Sequence, residues 1–573
     1  MAQSRRLPKN KRSLEQEITL LPDTTFTLKH NKHTRRLHVT GKLADGRVFK
    51  LKYKKLNDNE LRISNHVDSA TKVKITVTPK EPLENKRWYS TAQDIANVLM
   101  MVKNIQVSYR NQYALSLPGF MPMIGDAFGQ TRGAGVLSPG LDFAFGLIGD
   151  SYIDKAKEQN WLLINDSIAT PATINQATDL QLKCTLEPIA NLKIDLTASR
   201  TENKSKSIQY MYAGNPTSQT GSFTMTTLSL KSAFEGVGNA DNGFKSASFE
   251  RFCHSLDNYR DRVEAQYAHA TYPKGTSLAG QPFDPQHGTL DKYSADVMVP
   301  AFLAAYTGSG GNALRIFPTL SRLLPNWSVR YSGLQRLPFL RDVCKSVNIN
   351  HSYRCLYAVG GYATYSSFME YMNGLGFVTA PTTGVPIPSS MYNVSSVSIN
   401  EAFSPLLGID MTFENNLTAK VEYRTTRVLN LSMTSIQINE ATSHDWVVGL
   451  GYRINNFKLF GMRPPKRATK KATASAASGS SMQNGNNNDL NLRLDISLRN
   501  QATICRDIAS ISSYASSGNR ALKFSFMADY TFSRLLTLSF YYDSQTNKPL
   551  LTNNSFPTTT HDFGLSMKFS LTR

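Results

Sequence analysis

Apolar and polar residues alternate with period two along much of the chain. Leu180, Leu182, Cys184 and Leu186 fall on one side of a run whose other side is Asp179, Gln181, Lys183 and Thr185. Leu192, Ile194, Leu196 and Ala198 repeat the pattern, as do Leu407, Ile409, Met411 and Phe413, and Leu417, Ala419, Val421 and Tyr423. The clearest run is Leu490, Leu492, Leu494, Ile496 and Leu498, opposed by Asn491, Arg493, Asp495, Ser497 and Arg499. The chain closes on Phe563, Leu565, Met567, Phe569 and Leu571. Such alternation predicts strands with one face in an apolar phase and the other in water. The runs are about 9–11 residues long, which fits a tilted membrane-spanning strand. Tyr423, Trp446, Tyr541 and Tyr542 lie near strand ends, where an interfacial girdle would place them. A soluble all-β protein produces the same alternation, with shorter strands.

Other stretches break the pattern. Residues 1–82 read as a small, basic, water-facing β module of short strands, with a hairpin signal at Asp45-Gly46. Helical spacing marks 88–103, 150–162, 248–268 and 293–308. The predicted organisation is therefore 1–82, then a barrel region over 83–573 with inserts around 120–160 and 243–325. Insert 243–308 is a candidate pore-lining or partner-contacting element. Residues 461–489 are low in complexity and read as a disordered loop, whose Arg463, Lys466, Arg467, Lys470 and Lys471 are a solvated basic tract.

Composition narrows the reading. The chain has 573 residues, with 64 Lys+Arg against 43 Asp+Glu, a formal charge of +21. Residues 1–80 hold 19 Lys+Arg and 7 Asp+Glu, so about +12 of it sits there. Aromatics are not interleaved with these charges as a base-stacking surface requires, so nucleic acid is not an expected partner. The mean hydropathy of −0.32 looks soluble, but half of every barrel strand faces water. No run approaches 18 apolar residues, and the N-terminus has no apolar signal-peptide core.

Candidate chemistry is sparse. Cys184, Cys253, Cys344, Cys355 and Cys505 are odd in number and form no CxxC, although Cys344 and Cys355 are a conceivable pair. His30, His33 and His38 have no nearby carboxylate with which to hold a metal. Glu250 and Asp257 are flanked by Arg251, Arg260 and Arg262 and read as a solvated helix face. Phosphate-binding, dinucleotide, serine-hydrolase and zinc-protease motifs are missing, so no enzyme, cofactor or metal is expected.

Several blocks resemble one family. They are LSLPGFMP (115–122), QNWL (159–162), TLEPIANLKIDLTASRTEN (185–203), ADVMVPAFLAAYTG (295–308), the run from Ile316 to Ser346, INHSYRCLYAVGGY (349–362), DLNLRLDISLRN (489–500) and SFPTTTHDFGLSMKFSL (555–571). Together, over roughly 85–573, they resemble the C-terminal region of the SprA (Sov) family of outer-membrane translocons of the type IX secretion system of Bacteroidetes. The resemblance implies part of a very large antiparallel transmembrane β-barrel that exports folded cargo bearing a C-terminal signal domain. It also implies an association with gliding motility and cell-surface display. Implied partners are outer-membrane lipid, a PorV-like cargo-shuttle barrel, a periplasmic plug protein and the remaining N-terminal barrel strands, against which Phe563 to Leu571 would seal. The alternatives are another outer-membrane barrel transporter, or a secreted β-rich adhesin.

Overall fold

The computed structural model describes residues 13–79 and 100–569, apart from 23, 34–36, 66, 124, 134–135, 150, 165–169, 211–216, 309–313, 373, 381, 456, 458–488, 533–535 and 552–554. Most of the predicted 88–103 helix, almost all of the low-complexity loop, and Leu571 lie outside the described residues. The chain divides into two compact units at Met100/Met101.

The first unit is a small β-sandwich. Its strands are β1 (Leu14–Leu20), β2 (Phe26–Lys29), β3 (Leu37–Leu43), β4 (Val48–Phe49), β5 (Tyr53–Lys55), β6 (Glu60–Ile63) and β7 (Thr71–Pro79). They form two sheets, β1-β7-β3-β4 and β2-β6-β5. Alternation in β7 turns Val73, Ile75 and Val77 inward, onto a core shared with Leu20, Leu28, Leu61 and Ile63. Lys72 and Lys74 point out, and Lys74 meets Glu15 of β1 at 2.8 Å. In β1 Glu15, Glu17 and Thr19 are exposed, and Gln16 interrupts the apolar phase of Leu14, Ile18 and Leu20.

The second unit is a 13-stranded antiparallel sheet with helical and loop inserts. Its strands are β8 (Val102–Ser116), β9 (Ala172–Leu186), β10 (Leu192–Ile208), β11 (Ser218–Thr226), β12 (Asn326–Tyr331), β13 (Cys344–Thr364), β14 (Tyr392–Phe413), β15 (Leu417–Ser432), β16 (Gln437–Ile454), β17 (Leu490–Asp507), β18 (Ser512–Thr531), β19 (Leu536–Pro549) and β20 (Thr558–Phe569). Neighbours in sequence pair in order from β20 back to β13, which then meets β11, and the sheet ends through β10 and β9 at β8; the short β12 bridges β10 and β13. Val102, expected in a helix, already belongs to β8.

These strands are longer than the alternation suggested. Strand β14 has 22 residues and β17 has 18, against the 9–11 read from apolar spacing. Hydrogen bonding continues where the apolar side chains stop: β17 stays paired to β16 through Asn500, Thr503 and Asp507.

The extensions carry a helical insert. Residues 227–325 join β11 to β12 and contain α1 (Ala247–Glu264) and α2 (Ala295–Thr307). Ser246 caps α1, its Oγ accepting from the Phe249 N–H. Apolar Phe249, Phe252, Leu256 and Val263 face Val297, Phe302 and Tyr306 of α2 and the sheet residues Leu429, Leu431, Ile438, Ile399 and Tyr357. Burial also pushes the Cys253 thiol up to about 12. All five cysteines are free, and Cys344 and Cys355 share strand β13.

Two buried ion pairs fasten this insert. Arg427 meets Glu401 at 2.8 Å and donates to the Ser232 carbonyl at 2.6 Å. Arg506 meets Glu440 at 2.6 Å and donates to the carbonyl of Phe244. Arg506 is 0 % and Glu440 3 % exposed, so removing one partner strands a charge in a dry core. Arg506→Met is therefore expected to cost about 3–5 kcal/mol, and the double variant E440L/R506M to recover much of it. Urea unfolding and protease sensitivity of 227–325 measure both.

Candidate functional site: an apolar band and a charged opposite face

Cross-strand partners share a face, so the register assigns every side chain of the large sheet to a side. Leu490, Leu492, Leu494, Ile496 and Leu498 of β17 pair with Ile454, Tyr452, Leu450, Val448 and Trp446 of β16. The same five pair with Tyr530, Ala528, Phe526, Phe524 and Leu522 of β18. The row continues through Leu538, Phe540 and Tyr542 of β19 to Met567, Leu565 and Phe563 of β20. In the other direction it passes Val421 and Ile409 to Ile349. It reaches Leu182 and Val107 at the far edge by way of β10. The result is one apolar band from β8 to β20.

The band is uncovered. Phe563 is 76 %, Leu565 74 % and Met567 69 % exposed on β20, and Ile105 and Val107 are exposed on β8. Ile496 is exposed and Leu490, Leu492, Leu494 and Leu498 are half-buried by their neighbours. Contiguous apolar surface of this extent is foreign to water-facing proteins.

The opposite face carries charges, and several of them are paired. Glu422 meets Lys420 at 2.8 Å and also pairs with Arg424. Arg493 meets Asp495 at 2.7 Å, Arg499 meets Asp445 at 3.0 Å, and Lys523 meets Asp543 at 3.7 Å. Gly449 makes room for one of these: a Cβ there would lie 2.8 Å from Asp495 Oδ1. Tyr541, grouped with the girdle by sequence, is on this charged face, where its ring covers Gly564. Adjacent residues of a strand point to opposite faces, so Tyr541 and Tyr542 cannot serve one girdle.

Tyr423, Trp446 and Tyr542 do lie at the margin of the band. Tyr423 lies against Trp446 with ring centroids 4.6 Å apart and meets His444 Nδ1 at 3.0 Å; Tyr542 likewise meets His561 Nδ1 at 3.1 Å. These paired histidines went unseen in the sequence, where the partners are 21 and 19 residues apart.

The margin is slanted. One row of direct partners runs Ile105, Cys184, Leu196, Trp327, Tyr353, Phe403, Thr425, His444, Asn500, Arg520, Lys548. At β8 the band extends beyond this row to Tyr109, 109 − 105 = 4 residues above it. At β19 the band stops at Tyr542, 548 − 542 = 6 residues below it. The margin thus falls ten residues in ten strand steps. One residue of ~3.3 Å per strand spacing of ~4.8 Å is a slant of about 35°.

The helical insert packs on the same face as the band, beyond its margin, because Leu429, Leu431 and Ile438 have the parity of Val421 and Val448. It therefore does not pack on the charged face. Elsewhere, the His30 Nδ1 accepts from the Lys32 N–H at 3.2 Å inside the N-terminal module. Among the described residues no three His, Cys, Asp or Glu gather as metal ligands, and no helix is long and apolar enough to cross a membrane.

No family model and no curated protein matches the sequence. Among solved structures, the β domain of the Bordetella autotransporter BrkA has TM-score 0.19 and 7 % identity, over 70 % of this chain and 92 % of that one. OmpT, an outer membrane protein of Vibrio cholerae, has TM-score 0.17 with 70 % and 92 % coverage, at 8 % identity in a loop L8 deletion form and 9 % in an in-vitro folded form.

The two faces predict unequal responses. Leu494→Arg should cost about 2–4 kcal/mol in lipid, whereas Ser497→Arg on the charged face should cost under about 1 kcal/mol. Denaturant titration in lipid vesicles distinguishes them.

Proposed function

We propose that this chain is part of the wall of a very large outer-membrane β-barrel, and that the complete barrel is a protein-conducting translocon of type IX secretion. The slanted band carries the membrane half of this reading. Barrel strands tilt by about 35–45°, and a membrane cutting such strands leaves an apolar stripe that shifts along each successive strand. The stripe's slope of about 35° falls at that value. A soluble sandwich has no reason for an uncovered stripe that slopes from one edge of a sheet to the other.

The size of the sheet supports a wide barrel. Among the described residues β8 pairs only with β9, and β20 only with β19, so 13 strands do not close on each other. Unpaired edges are untenable in hydrocarbon. Further strands, supplied by the rest of the barrel, would satisfy both edges and widen the lumen, since diameter grows with strand number. The lumen wall is then the charged face. Its paired ions and small side chains offer a passing folded domain little apolar surface to stick to. The resemblance to the SprA family supplies the cargo class, folded proteins with a C-terminal signal domain, and the partners: a PorV-like shuttle and a periplasmic plug. The insert 227–325, on the band-bearing face and beyond the band, would then meet a neighbouring barrel. Surface display and gliding follow from export.

Depleting the chain in its native host tests this. Proteins with a C-terminal signal domain should accumulate inside the cell, and the chain should fractionate with the outer membrane. Unchanged secretion with impaired uptake of a nutrient would favour another barrel transporter. Recovery in the soluble fraction without detergent would favour a secreted adhesin.

A further inference from the structure

On the charged face Lys420, Arg424, Arg493, Arg499 and Lys523 each meet a carboxylate. Two cations on the opposite, band-bearing face do not. Arg520 of β18 and Lys548 of β19 are direct cross-strand partners, both exposed, and among the described residues neither has an ion pair. Like charges directly opposed in a sheet repel one another. They line a cavity of about 420 Å³ together with His444, Asn500, Thr442 and Val237 of the insert, and among the described residues no acidic side chain lines it.

Its position is specific. The row His444, Asn500, Arg520, Lys548 lies just past the row Trp446, Leu498, Leu522, Thr546, where the apolar band gives out on β16 to β18. Leu550 forms a further apolar wall beside Gly518. A molecule entering here meets cations and an amide above and hydrocarbon-like side chains below.

We propose that this cavity binds the phosphate of an anionic membrane lipid headgroup, with Arg520 and Lys548 as its ligands and the acyl chains lying along Leu522 and Leu498. A phosphate held between the two cations removes their repulsion. It accepts charge-assisted hydrogen bonds from a planar guanidinium and an ammonium, the donors best suited to it. Basic pockets at the level of lipid headgroups recruit such lipids in this way. A free phosphate ion would have the same polar contacts but nothing to place against Leu522 and Leu498.

The proposal rests on the membrane reading above, and the test separates the two. The purified full chain is placed in neutral detergent micelles doped with phosphatidylglycerol or with phosphatidylcholine, and bound lipid is counted by native mass spectrometry. Wild type should retain phosphatidylglycerol at least tenfold more strongly than phosphatidylcholine. The double variant R520Q/K548Q should lose that preference, while R520K/K548R, which keeps both charges, should retain it. Added inorganic phosphate at millimolar concentration should not displace the lipid. Equal retention by wild type and R520Q/K548Q, or ready displacement by inorganic phosphate, overturns the lipid site while leaving the membrane reading intact. A wild-type chain that stays soluble and takes up no detergent overturns both.

Discussion

The backbone of a strand turns successive side chains to opposite faces, and in the large sheet that single constraint separates two chemistries. Hydrogen bonding fixes the register, and the register stacks Leu494 on Leu450 and Phe526 while it stacks Asp495 on Gly449 and Ser525. A slip of one residue in β17 would send Arg493 and Arg499 to the apolar side and the leucines to the charged side. The band and the ion pairs therefore enforce each other's register. Every other feature of the second unit is set against this frame.

Across the sheet the band-bearing face meets more than one environment. It begins as an uncovered apolar stripe, passes a margin of Tyr423, Trp446, His444 and Tyr542, and on the central strands β13 to β16 ends beneath the helical insert. The insert is held by buried charge rather than by apolar contact alone. Arg427 and Arg506 reach out of the sheet to backbone carbonyls of Ser232 and Phe244, and Glu401 and Glu440 neutralise them. Such pairs often contribute less to stability than apolar residues of similar volume would, but the loss of one partner strands a buried charge.

The alternation of 490–498 and 563–569 was legible in the sequence because the stripe there is long and uninterrupted. What failed to show was anything that depends on pairing between distant segments. Strand lengths were underestimated since apolar alternation stops at the margin, while backbone pairing does not. Tyr541 was misplaced because it is next to Tyr542, and only parity tells them apart. The buried ion pairs did leave a signal. Glu401 has the parity of Ile399 and Phe403, Arg427 that of Leu429, Glu440 that of Ile438, and Arg506 that of Ile504. Two anions and two cations breaking the apolar phase of four strands mark a protein-covered face rather than a lipid-covered one. The opposition of Arg520 and Lys548, with no ion pair to either among the described residues, left no such mark, since it exists only in the sheet.

The central claim is that the stripe faces lipid and the charged side faces water. Nitroxide labels placed singly at positions 490 to 499 of the chain in lipid vesicles test it directly, through their relaxation by oxygen, which partitions into hydrocarbon, and by a water-soluble nickel complex. Oxygen accessibility should be high at Leu490, Leu492, Leu494, Ile496 and Leu498 and low at the residues between them, with the nickel complex in antiphase. Equal access of the nickel complex to both sets of positions would contradict the claim.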